Sequence, residues 1–90
     1  MTYHESITKK LEQALYLTSN VLPPERIESI STCIHAEEWA VAFEILCSNL
    51  YEYEFPISKQ TYKLLEEIGL SVKAKKDYWE LLKSQIIPGS

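Results

Sequence analysis

Glycine is scarce in this chain, with only Gly69 and Gly89 among ninety residues. A loop that wraps phosphate needs several residues free of Cβ, and a turn-rich β-fold needs more still, so both are excluded. Histidine is equally rare. His4 and His35 are too few and too scattered for a zinc site, and Cys33 stands two residues from His35, which places them on different helix faces. No G-x-S-x-G turn is present to expose a nucleophilic serine. Neighbouring carboxylates, Glu37 with Glu38 and Glu66 with Glu67, diverge by about 100° on a helix, so neither pair converges on one substrate atom. The chain is therefore expected to be no enzyme, with no metal site, no cofactor and no catalytic residues.

Long apolar runs are missing as well. No stretch approaches the roughly 18 apolar residues of a membrane span. The opening MTYHESITKKLEQAL has lysines but neither the continuous apolar segment nor the small-residue cleavage site of a secretory signal. Cys33 and Cys47 both fall inside helical patterns and read as small core residues in a reducing compartment. The expected location is cytoplasmic, with no membrane partner. Pro88, Gly89 and Ser90 read either as a disordered tail or as an added remnant, and carry no functional weight.

What the chain does contain is apolar side chain. Hydrophobic residues make up 46%, including two Trp and six Tyr, a composition that folds. Ninety residues make one domain, 1–90, with a single core that buries about 60–70% of the unfolded surface. Ile7, Leu11, Ala14, Leu15, Thr18, Val21 and Leu22 recur at three- and four-residue steps and predict a first helix over about residues 2–20, with Tyr16 outside. Pro23 and Pro24 stop it, and Pro24 opens a second helix that turns Ile27, Ile30 and Ile34 inward and ends near His35. Ala36 is a weak break, which predicts a kink in place of a loop.

The third helix spans about residues 37–54 and turns Trp39, Ala42, Phe43, Leu46, Leu50 and Tyr53 to one side. Pro56 ends it by forcing Phe55 toward extended geometry. Ser58 caps a fourth helix, with Ile57 placed to staple onto Tyr62, and Gly69 supplies a left-handed stop on which Leu70 folds back toward Leu65. Tyr62, Leu65 and Ile68 form that helix's inward stripe. A last helix over about residues 71–85 carries Tyr78, Trp79 and Leu82 inward. No β-alternation of useful length appears. The expected fold is all-α, a compact single-domain bundle of about five short helices.

Charge is distributed unevenly along this pattern. Seven glutamates lie between Glu25 and Glu54 against the single base Arg26, so this third of the chain holds a charge of −6 out of a total of −4. Residues 1–24 are balanced, and residues 55–90 carry +2, with Lys73, Lys75 and Lys76 as the one basic cluster. On the third helix Glu37, Glu44, Ser48, Tyr51 and Glu52 oppose the apolar stripe, with Glu38 and Glu54 at its flanks and Val41 in the polar row. Such a field speeds encounter with a basic surface and repels nucleic acid and anionic lipid.

A run of packing residues resembles one known family. Glu38, Trp39, Ala42, Phe43, Leu46, Asn49, Leu50 and Glu52, then Pro56, Ile57 and Ser58, then Tyr62, Gly69 and Trp79, are similar to the MafI-type immunity proteins and the CdiI-like proteins of contact-dependent growth inhibition. The resemblance covers about residues 27–83 and departs at Ala36, where a glycine or similar turn residue is usual. It implies a small all-helical antitoxin that binds the secreted toxin domain of a competing bacterium. Toxins partnered with this family are commonly nucleases, with ribonuclease the narrower expectation. The toxin-binding residues expected here are Glu25, Glu28, Glu37, Glu38, Glu44, Tyr51, Glu52 and Glu54, with Tyr51 as the aromatic anchor. Reversing Glu37, Glu44 and Glu52 to lysine is then expected to slow association strongly and flatten its salt dependence while leaving the fold intact. The partner is a basic protein and no nucleic acid, and the chain is a monomer or one half of a 1:1 heterodimer. The alternative is a helical adaptor or self-associating scaffold, using Val41 and Ile45 beside Tyr51.

Overall fold

A computed structural model of the chain describes residues 2–90. Five α-helices follow one another as α1 (Tyr3–Thr18), α2 (Pro24–His35), α3 (Trp39–Glu52), α4 (Lys59–Ser71) and α5 (Asp77–Glu80). The last runs directly into a 3₁₀ turn, Leu81–Gln85. The fold is all-α, and the only β feature among the described residues is an isolated parallel bridge between Ile57 and Ile86. Helix α1 packs against α2, α3 and α4, while α5 and the 3₁₀ turn close the far side of α3.

Helix starts follow side-chain chemistry. Thr2 accepts a hydrogen bond from the Glu5 amide at 3.1 Å and caps α1, as Ser58 does for α4 from the Thr61 amide at 3.0 Å. Pro24 opens α2 at a position where its missing N–H removes nothing. The core collects the inward stripes: Ile7, Leu11 and Ala14 of α1, Ile30 and Ile34 of α2, Phe43, Leu46 and Leu50 of α3, Leu65 and Ile68 of α4, and then Trp79 and Leu82. Helix α1 stops at Thr18, whose hydroxyl turns back to donate to the Ala14 carbonyl at 3.0 Å, so Val21 lies outside the helix and 40% exposed. Tyr53, placed inward by its spacing, is 46% exposed because α3 has ended one residue before it.

The helix stops differ most from expectation. Helix α2 does not kink into α3. Its end closes through the left-handed residue Glu37 (φ 59°), with the Glu37 amide donating to the Ile34 carbonyl at 3.1 Å and the Glu38 amide to the Cys33 carbonyl at 2.9 Å. The same paired closure ends α3 at Glu54 (φ 50°), with amide bonds from Glu54 to Tyr51 and from Phe55 to Leu50. It ends α4 at Lys73 (φ 58°), with bonds from Lys73 to Leu70 and from Ala74 to Gly69.

Gly69 is therefore no helix stop. It lies buried inside α4, and a Cβ there would stand 2.3 Å from Cζ3 of Trp79 and 3.0 Å from Cζ of Phe43. Its bare backbone seats the indole against α4, while Leu70 turns out and is 61% exposed. Since α4 continues to Ser71 and its stop takes up Val72–Lys73, the final helical segment begins only at Asp77, not near residue 71.

Candidate functional site

The acidic third of the chain becomes the two helices α2 and α3 and the closures at their ends. Glu25 lies in the first turn of α2 and Glu28 one turn on, both exposed. Glu37 and Glu38 form the link to α3, again exposed. Glu52 ends α3 and Glu54 closes it, both in solvent, and Tyr51 is 49% exposed on the helix's outer side. Among the described residues the one ion pair is Lys10–Glu67 at 3.6 Å, so no lysine or arginine neutralises any of these carboxylates.

Glu44 differs from the rest. It is only half-exposed and accepts a hydrogen bond from the Tyr78 hydroxyl at 3.2 Å, which ties α3 to α5. That bond, reinforced by the carboxylate's charge, raises the Tyr78 phenol above its usual range. A lysine at 44 would break a contact of the fold as well as invert a surface charge.

The structure gathers these residues at two ends of α3 and not in a single cluster. At its C-terminal end Tyr51, Glu52 and Glu54 border an open groove of about 830 Å³, together with Pro56, Ile86 and Ile87. At its N-terminal end Glu37 and Glu38 border a hollow of about 380 Å³ with Tyr3, Trp39 and Val41, and Lys73 on its edge. Fourteen residues of helix separate the two by about 20 Å. Trp39 is half-buried there, its indole N–H donating to the Thr8 hydroxyl at 3.2 Å and its ring met edge-on by His4 at 4.8 Å. Glu25 and Glu28 line neither hollow.

The sequence reading placed Trp79 and Leu82 inward, as observed, but assigned no packing role to residues 85–90. The Gln85 side-chain amide donates to the carbonyls of Leu50 and Phe55, both at 2.9 Å, and so satisfies the end of α3. The Ile57 amide donates to the Gln85 carbonyl at 3.0 Å, and Ile87 donates back to Ile57 at 2.8 Å. The Lys59 amide donates to the Ser90 hydroxyl at 2.9 Å. The apolar pair Ile86–Ile87 ahead of Pro88 was the available sign that this segment packs.

No trio of His, Cys, Asp or Glu gathers as a metal site among the described residues, and no helix there is long and apolar enough to cross a membrane. Cys47 is buried, and burial alone pushes its thiol far above the usual range, which keeps it protonated. No protein-family model matches the chain, and comparison with curated proteins and with solved structures likewise gives no match.

Proposed function

We propose that this protein is a non-enzymatic immunity protein, of the MafI or CdiI-like kind, that binds and neutralises a secreted bacterial toxin domain in the cytoplasm. The observation that carries this reading is the identity of the residues closing α2 and α3. A left-handed residue other than glycine costs about 1–2 kcal/mol, and an anion beside a helix's C-terminal carbonyls costs about 0.3–1 kcal/mol more. Glu37 and Glu54 incur both penalties, and each stands exposed and without an ion pair among the described residues. Local choices that oppose stability are retained where a surface has a task.

The task that suits these carboxylates is to meet a cationic protein. A nuclease presents a basic cleft to its phosphodiester substrate, and an acidic face that docks there excludes the substrate by charge and by volume. Neutralising a lethal enzyme needs nanomolar or tighter binding, about 12 kcal/mol. An interface of about 800 Å² per partner can supply it and is broad enough to take in both ends of α3. The scaffold alternative has less to stand on. Ile45 packs against the core, which leaves Val41 and Tyr51 about 15 Å apart along the helix and not one continuous apolar patch.

The test is co-expression with the adjacent gene, followed by purification through a tag at the N-terminus. A basic protein should co-elute in 1:1 ratio. The variant E37K/E52K/E54K spares the Glu44–Tyr78 bond, and it should slow association about 100-fold at low salt and flatten its salt dependence. Unchanged association by a correctly folded variant, or a chain that pairs only with itself on dilution, would sink the reading.

A further inference from the structure

The groove at the C-terminal end of α3 has a chemistry that narrows the partner. Its apolar lining comes from Pro56 and from Ile86 and Ile87, and Tyr51 adds a half-exposed aromatic ring. Glu52 and Glu54 supply its charge, and no lysine, arginine or histidine lines it. The last turn of α3 adds the negative pole of the helix. Pro56 stands four residues beyond Glu52 and has no N–H to offer that residue's carbonyl. At about 830 Å³ the groove falls within the size range of ligand sites, about 300–1,000 Å³, and exceeds what one small ion would use.

We infer that this groove accepts an arginine-bearing segment of the partner protein. The guanidinium is recognised by Glu52 and Glu54, its face lies on the Tyr51 ring, and its aliphatic stem runs along Ile86 and Ile87. Arginine suits this lining better than lysine does, because a planar five-donor fork can engage two carboxylates while stacking on an aromatic face. The inference rests on the reading of a basic protein partner and names the side chain that reaches this end of α3.

The experiment uses the whole chain, labelled with nitrogen-15, and follows its backbone amides by NMR. Three probes are titrated separately: N-acetyl-arginine amide, the lysine equivalent, and the uncharged citrulline equivalent of nearly the same shape. The arginine probe should shift the amides of residues 51–55 and 84–87, the lysine probe should do so more weakly, and citrulline should leave them in place. In E52Q/E54Q the arginine response should weaken at least about tenfold, and in Y51L the preference for arginine over lysine should shrink. Citrulline binding as well as arginine, an unchanged response in E52Q/E54Q, shifts confined to other glutamates, or probe-free shifts on dilution that reveal a second copy in the groove would each overturn the inference. These probes involve no toxin. If they fail while E37K/E52K/E54K still loses a co-purifying basic partner, the groove assignment falls and the immunity reading stands.

Discussion

Helices α3 and α4 end in the same backbone geometry and with opposite charge. Each closes through a left-handed residue other than glycine, Glu54 after α3 and Lys73 after α4. At Lys73 the charge has the sign that helix-end carbonyls favour, so only the backbone strain is unfavourable. At Glu54, and at Glu37 after α2, the charge adds to the strain. The lysine-bearing part of the molecule thus keeps its helix-end charge in accord with the helix, and it adds close packing in the seat that Gly69 gives Trp79. The acid-bearing part departs from that accord at its surface, while its inward faces are apolar apart from the buried Asn49, whose side-chain amide donates to the Ile45 carbonyl at 2.7 Å.

The largest effect expected from testing this contrast is on the packed side. G69A should destabilise the chain by about 2–3 kcal/mol in urea unfolding, although alanine is intrinsically the better helix former by about 1 kcal/mol. A stabilised G69A would mean that Trp79 can move aside, and the packed side would lose its distinction. Next come the closures. E37G/E54G should stabilise by about 1–2 kcal/mol at each site and weaken partner association, whereas K73G should gain less than about 1 kcal/mol, because it gives up a favourable cation. Equal gains per site for glutamate and lysine would erase the comparison. Measured midpoints at constant denaturant slope decide between these outcomes.

The smallest effect concerns alkaline pH. Cys47 is held as a thiol by burial, and Tyr78 as a phenol chiefly by its bond to Glu44. Both groups titrate later in the folded chain than in the unfolded one. Their stabilisation is whole below the ordinary values of 9.0 for the thiol and 10.0 for the phenol, and it is lost as pH rises beyond them. Unfolding midpoints should fall above about pH 9, and C47A should flatten that decline while lowering stability at neutral pH.

The helices were legible wherever periodicity and chemistry agreed. The inward stripes of α1 to α4, the proline at the start of α2 and the serine cap of α4 could all be read from residue types alone. The stops could not. Glycine is the usual mark of a left-handed closure, so Gly69 drew that reading while the role passed to Lys73, four residues on, and to two glutamates that nothing local marks. Glu37, Glu38 and Glu54 are exposed as residues of the closures, outside any helix, whereas the exposure of Glu52 was legible from helical phase. Glu44 was not, because its partner Tyr78 is 34 residues distant in sequence. The groove wall formed by Ile86 and Ile87 was hidden for the same reason, since it depends on a bridge to Ile57 that no local pattern encodes.

The two tryptophans divide the molecule between them in a way an observer can use. Trp79 is enclosed against α4 and Phe43, whereas Trp39 stands half-open at the start of α3 with an imidazole at its edge. Intrinsic fluorescence therefore offers two separable reporters. Replacing Trp39 with phenylalanine leaves an emitter that senses melting of the interior, and replacing Trp79 leaves one that senses the arrival of a visitor beside Glu37 and Glu38.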